Sequence, residues 1–125
     1  MPGYEQRRTV RVPLLIPVKV RSSIGTFQGQ GRDISMGGIG VYLQRLPPEG
    51  SMIEVRLSLP KGDKPIEVTG EVVYVKRGGP ADNWMGIRFT RMDADSAAAL
   101  RSYVTKIHGS EHIEGPAPPP LPSKR

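Results

Sequence analysis

Met52-Ile53-Glu54-Val55-Arg56-Leu57-Ser58-Leu59 is the stretch that decides the fold. Ile53, Val55, Leu57 and Leu59 alternate with Glu54, Arg56 and Ser58, the period of a strand with one face in a core and the other in water. Five more segments of similar character lie around it. Upstream are Leu14 to Val20, Ile24 to Arg32 and Ile39 to Gln44; downstream are Ile66 to Lys76 and Trp84 to Thr90. Pro17 inside the first predicts an edge position or a bulge. In the second, Ile24, Thr26 and Gln28 share a face, and Gly25, Gly29 and Gly31 predict bends or close backbone approach. The fifth is bent at Gly70. Between the strands stand turn signals: Asp33 to Gly38, Leu46-Pro47-Pro48-Glu49-Gly50, Pro60 to Pro65, and Arg77-Gly78-Gly79-Pro80. Six strands with short loops and no helix between them predict an all-β antiparallel barrel or sandwich.

One helix follows. Asp93 or Asp95 is placed to cap it, Ala97, Leu100, Val104 and Ile107 fall on one face, and Gly109 is expected to stop it. The chain then carries Pro116, Pro118, Pro119, Pro120 and Pro122. Three segments result: a flexible basic arm over 1–12, a barrel with its helix over 13–108, and a Pro-rich, disordered tail over 109–125.

Composition narrows the function. The chain has 125 residues, room for one domain, and 37% hydrophobic residues, low enough that part of it lies outside the core. It has no cysteine, which excludes disulfides, thiolate metal sites and cysteine nucleophiles. No segment approaches the roughly 20 apolar residues that span a bilayer, and the N-terminal stretch has no signal-peptide core. A cytoplasmic location without membrane insertion is expected. The net charge of +6 is concentrated early: residues 1–32 hold Arg7, Arg8, Arg11, Lys19, Arg21 and Arg32 against Glu5 alone. A local cluster fits a discrete anionic ligand better than a long nucleic acid polymer, although from charge alone a solvated arm is the better reading.

Two constellations carry chemistry. Arg7-Arg8-Thr9-Val10-Arg11 places two arginines four apart, a spacing that chance supplies about once in such a chain. Guanidinium groups fork phosphates, stack on purines and bond the O6/N7 edge of guanine. Asp33-Ile34-Ser35-Met36-Gly37-Gly38 is far rarer by chance. Alone it is a well-formed turn; functionally, it gathers a carboxylate for a guanine N1–H/N2–H₂ edge, a hydroxyl for a phosphate, and open backbone. The pair in this order favours a ligand site.

With these two motifs, the following Ile39-Gly40-Val41 and the late Gly86-Ile87-Arg88-Phe89 before a helix, the sequence resembles a PilZ domain over roughly residues 5–107. The family hallmark is RxxxR followed by [D/N]xSxxG, and both stand complete. The resemblance implies a six-stranded antiparallel β-barrel with one C-terminal α-helix, and cyclic di-GMP as ligand, with no cofactor. It implies Arg7 and Arg11 on guanine and phosphate, Asp33 and Ser35 on the ligand's other side, Gly37 and Gly38 in the loop between them, and Gly38 admitting close backbone approach. The arm is then expected to order over the ligand and signal to an unidentified downstream protein, with motility, exopolysaccharide or adhesion as family-typical outputs. Gln6 stands where relatives that take an intercalated ligand dimer tend to carry a basic residue. One or two ligands therefore remain open, with Arg8 as an additional stacking cation.

Other features read as structural. His108 and His112 are four apart but lack a third ligand, a solvated helix end rather than a metal site. Trp84, Phe89, Tyr74 and Tyr103 read as core. Glu54, Glu67 and Glu71 lie on strand faces without visible partners. No Ser–His–Asp set, phosphate loop or metal cluster stands out, so a binding protein rather than an enzyme is expected. The alternatives are a ligand-silent PilZ-like interaction module and, below it, a nucleic-acid-binding barrel, which would need aromatics interleaved with its basic residues.

Overall fold

The computed structural model describes residues 11–60, 62, 64–79 and 82–114; over 109–114 it describes the backbone alone. The strands are β1 (Val12–Pro13), β2 (Pro17–Ser22), β3 (Gly25–Ile34), β4 (Gly38–Tyr42), β5 (Met52–Leu57), β6 (Ile66–Arg77) and β7 (Asn83–Met92), followed by helix α1 (Ala94–Glu114). Every pairing is antiparallel. The order β3-β2-β5-β6-β7-β4 closes on itself through β3–β4, giving a six-stranded barrel with β1 added at the far end of β3.

The first expected strand, Leu14 to Val20, is observed from Pro17 on, and the short β1 forms before it, with Val12 drawn from the end of the expected flexible arm into the sheet. β1 pairs Val12 with Ile34 and Pro13 with Asp33, β2 pairs Pro17 to Ser22 with Gln30 to Gly25, and both lie along β3. Leu14 N donating to Arg32 O and Gly31 N donating to Ile16 O bridge the gap. Pro17 is the first residue of β2, where a missing N–H is tolerated.

The alternation in β5 holds: Ile53, Val55 and Leu57 are buried while Met52, Glu54 and Arg56 are exposed. They join Val18, Val20, Ile39, Val41, Val72, Met85 and Ile87 in one core, each burial contributing roughly 1.5–3 kcal/mol. In β3 the residues expected to share a face do so, on the outside. Thr26 and Gln28 are exposed, and Phe27, Gly29 and Gly31 lie on the more buried side. The glutamates of the outer face have partners: Glu54 pairs with Arg21, Glu67 with Arg56 at 3.4 Å, and Glu71 with Arg88 at 2.6 Å. These are cross-strand neighbours in register, and exposed pairs of this kind contribute about 0–1 kcal/mol each.

The helix closes the barrel against β6 and β1. Asp93 Oδ1 accepts from Ser96 N at 2.6 Å, capping its first turn. Leu100 and Val104 are buried, and Tyr103 Oη donates to Pro13 O at 3.3 Å. Gly109 does not end it: α1 runs to Glu114 and takes in residues 109–114 of the expected tail. A glycine stops a helix by turning left-handed, and inside α1 Gly109 keeps helical backbone. No helix among the described residues is long and apolar enough to cross a membrane.

Candidate functional site

Two irregularities in the barrel wall build the site. Between Gly31 and Asp33 the β3–β4 register shifts, so Arg32 is an extra residue. In a regular strand Arg32 and Asp33 would face opposite sides; with the bulge, both are half-exposed between buried Gly31 and Ile34. A second shift, between Val72 and Tyr74, makes Val73 the extra residue of β6. Val73 and Tyr74 are therefore both exposed, following buried Val72. Tyr74 pairs with Gly86 of β7, and a side chain on Gly86 would meet its ring at 2.5 Å. The glycine is thus the seat of the phenol.

Arg11 comes down onto this wall from the N-terminal side. Its Nε donates to Asp33 Oδ1 at 3.0 Å, its Nη2 to the same oxygen at 2.5 Å, and its Nη1 to Ser35 Oγ at 3.3 Å. Arg32 Nη1 donates to Asp33 Oδ2 at 2.8 Å. The guanidinium carbon of Arg32 lies 4.0 Å from the centroid of the Trp84 ring, a cation–π contact. Tyr74 meets Trp84 edge-on, with centroids 5.2 Å apart and planes at 86°. Partial burial pushes the Tyr74 phenol above its ordinary pKa; Arg11 and Arg32 pull it down and Asp33 pushes it further up, so it shares the field of these charges.

Ser35 is 1% exposed and occupied with its own loop. Its Oγ accepts from Gly37 N at 3.1 Å and Gly38 N at 3.2 Å and donates to Gly38 O at 3.4 Å, while Ser35 N donates to Gly38 O at 2.8 Å. It therefore braces the β3–β4 turn and presents its oxygen to Arg11. The close approach at Gly38 is made by the neighbouring strand: a Cβ there would lie 2.3 Å from the carbonyl oxygen of Ile87. Gly37 is exposed, with nothing within 4 Å of the position a Cβ would take.

Of the residues expected from sequence, Arg11, Asp33, Ser35, Gly37 and Gly38 come together; Arg7 and Arg8 lie outside the described residues. Sequence reasoning missed three neighbours. Arg32 was visible as the residue next to Asp33, but strand alternation sends neighbours to opposite faces. Tyr74 and Trp84 were assigned to the core, whereas Tyr74 is 44% exposed and Trp84 half-buried. Among the described residues no group of three or more acidic or histidine side chains is placed to hold a metal ion. The His112 side chain lies outside the described set. Two grooves, of about 620 and 710 Å³, run along other parts of the wall. The site itself is an open surface, carrying a carboxylate acceptor between two guanidinium groups and an aromatic pair.

This architecture, with an arginine from the N-terminal side seated on the bulged β3 end, is that of a small closed β-barrel capped by one C-terminal helix. The PilZ domain family model matches residues 5–106, and the chain belongs to that family. Solved structures share the fold. The Bacillus subtilis inhibitor of motility, MotI/DgrA, superposes with a TM-score of 0.71 at 19% identity, covering 89% of this chain and 53% of that one. MrkH of K. pneumonia in its c-di-GMP complex gives 0.66 at 16% identity, over 87% of this chain and 54% of that one. The PilZ domain of Escherichia coli YcgR, solved with c-di-GMP, gives 0.64 at 14% identity, over 87% and 96%. The chain thus spans about half the length of MotI/DgrA and MrkH and nearly all of the isolated YcgR domain. No curated protein matches its sequence.

Proposed function

We propose that this protein is a cyclic di-GMP receptor, a cytoplasmic binding module that performs no chemistry and passes its ligand state to a protein partner. The observation that carries the reading is the reach of Arg11 across 22 positions onto Asp33. It joins the two halves of the motif into one site. Asp33 accepts from a guanine N1–H/N2–H₂ edge, the arginines of the arm take phosphate and guanine, and Ser35 reaches a phosphate when Arg11 shifts to the ligand. The c-di-GMP complexes of YcgR and MrkH support the ligand class. Arg7 and Arg8 are assigned to the same ligand, with residues 1–10 of the arm closing on it as an order-from-disorder switch; Arg11 and Val12 already lie on β3 without it. Motility is one output in keeping with a relative described as an inhibitor of motility.

One observation favours a second reading, a ligand-silent interaction module: both oxygens of Asp33 already hold a guanidinium. A carboxylate has about four lone-pair sites, however: Oδ2, with one donor, can take another, and Oδ1, which takes two Arg11 N–H groups, is freed when Arg11 turns to the ligand. Isothermal titration of the full chain with cyclic di-GMP, against cyclic di-AMP and GTP, decides between them. Selective saturable binding supports the receptor and its endpoint gives the stoichiometry left open by Gln6. No heat and no thermal shift across the micromolar range leaves the silent module. A steep salt dependence with long polyanions, uncompeted by cyclic di-GMP, would point instead to nucleic acid.

A further inference from the structure

Arg32 is held before any ligand arrives. Its guanidinium carbon lies over the Trp84 ring, 4.0 Å from the centroid, and its Nη1 is bonded to Asp33 Oδ2 at 2.8 Å. The indole is fixed in turn by the edge-on contact with Tyr74. The side chain is 40% exposed, and its other N–H groups have no partner among the described residues. An exposed arginine ordinarily samples many rotamers. Here the bulge, the indole and the carboxylate leave it one arrangement, so little ordering remains to be done on binding.

The result is a guanidinium donor beside a carboxylate acceptor, joined by one hydrogen bond. A guanine edge has the complementary order, with N1–H and N2–H₂ donors next to the O6 acceptor. Adenine opposes both groups: its N1 is an acceptor and its N6 an amino donor. We propose that Arg32 is a guanine-specificity residue that donates to O6 while Asp33 accepts from N1–H and N2–H₂. Trp84 is then a positioning residue that holds the guanidinium beside Asp33. This assignment rests on the receptor reading above and adds to it the pair that selects guanine over adenine. Lysine cannot replace Arg32, because an ammonium lacks the planar fork.

The test is titration of the full chain with cyclic di-GMP and cyclic di-AMP for wild type, Arg32→Ala, Arg32→Lys, Trp84→Leu and Trp84→Phe. Both Arg32 variants are expected to lose cyclic di-GMP affinity on the order of tenfold or more. Their cyclic di-AMP affinity stays unchanged, so the ratio narrows. Trp84→Leu narrows it partly and Trp84→Phe retains it. Trp84 is the only tryptophan, so its fluorescence reports the site directly: cyclic di-GMP should change the emission of wild type and change that of Arg32→Ala much less. An unchanged ratio in both Arg32 variants overturns the assignment while the receptor reading stands. A wild type that binds neither dinucleotide overturns the receptor reading itself, and the assignment with it. If Trp84→Leu does not fold, the half-exposed Arg32 positions still carry the test.

Discussion

Replacing Gly38 by alanine tests whether β7 fills the place of its side chain. A Cβ at Gly38 would stand 2.3 Å from Ile87 O, 3.4 Å from the Ile87 carbonyl carbon and 3.6 Å from Arg88 Cα. Favourable carbon contacts lie at about 3.5–4.0 Å, so the β4–β7 seam must open by about 1 Å. The obstacle is backbone, which cannot swing aside. β4 is also held on its other edge by β3, and Phe89 N donates to Gly37 O at 2.8 Å beside the clash. Overpacking costs about 1–3 kcal/mol, and a backbone obstacle belongs at the upper end. At roughly 4–8 °C per kcal/mol for a domain of this size, 3 kcal/mol lowers Tm by about 12–24 °C. Gly37→Ala is the paired control. It meets nothing within 4 Å and has no positive φ, so its stability should stay within about 0.5 kcal/mol of wild type. Scanning calorimetry of the three proteins, with cyclic di-GMP titration of each, gives both readouts. A Gly38→Ala protein melting within about 4 °C of wild type would refute the reasoning.

Other perturbations separate binding from stability. Arg11→Ala removes three hydrogen bonds, but Asp33 keeps Arg32 and is not orphaned. The half-exposed pair is worth at most about 1 kcal/mol. Cyclic di-GMP affinity should nevertheless fall by roughly tenfold or more, since bonds to charged groups are worth about 1.5–3 kcal/mol; a Tm loss as large as that of Gly38→Ala would contradict this. Arg7→Ala should likewise weaken binding while leaving Tm in place, and a large drop in Tm would argue against a mobile arm. Ser35→Ala leaves the Gly37 and Gly38 amides without their acceptor, a loss of about 1–3 kcal/mol visible as a lower urea midpoint at constant slope. The Tyr74 phenol, raised first by burial, should ionise above pH 10 in an ultraviolet difference titration of wild type against Tyr74→Phe. Because its folded pKa lies above the unfolded one, its contribution to stability is complete below about pH 10 and fades as pH rises through the folded pKa. A phenol titrating at its ordinary value would show that Arg11 and Arg32 offset its burial.

The strands were legible wherever one face had to be buried. Ile53, Val55 and Leu57, or Ile39 and Val41, admit only one strand phase, because a one-residue slip would put every one of them in water. Glycine-rich Gly25–Ile34 lacked that constraint: that Thr26 and Gln28 share a face was legible, but which face turns inward was not. The helix face of Leu100 and Val104 was legible for the same reason, while its end was not: Gly109 permits a stop without requiring one.

The sequence by itself determined the two motif halves, the chemistry of their side chains and the six-strand count, because residue type and period two are local properties. Only the tertiary structure decided that Arg32 and Asp33 emerge on the same side, that Tyr74 and Trp84 stand beside them, and that β7 occupies the space at Gly38. Those outcomes depend on where β3 and β6 bulge against their partners. A bulge is fixed by the fit between two strands distant in sequence, and neither strand's pattern contains the other's register.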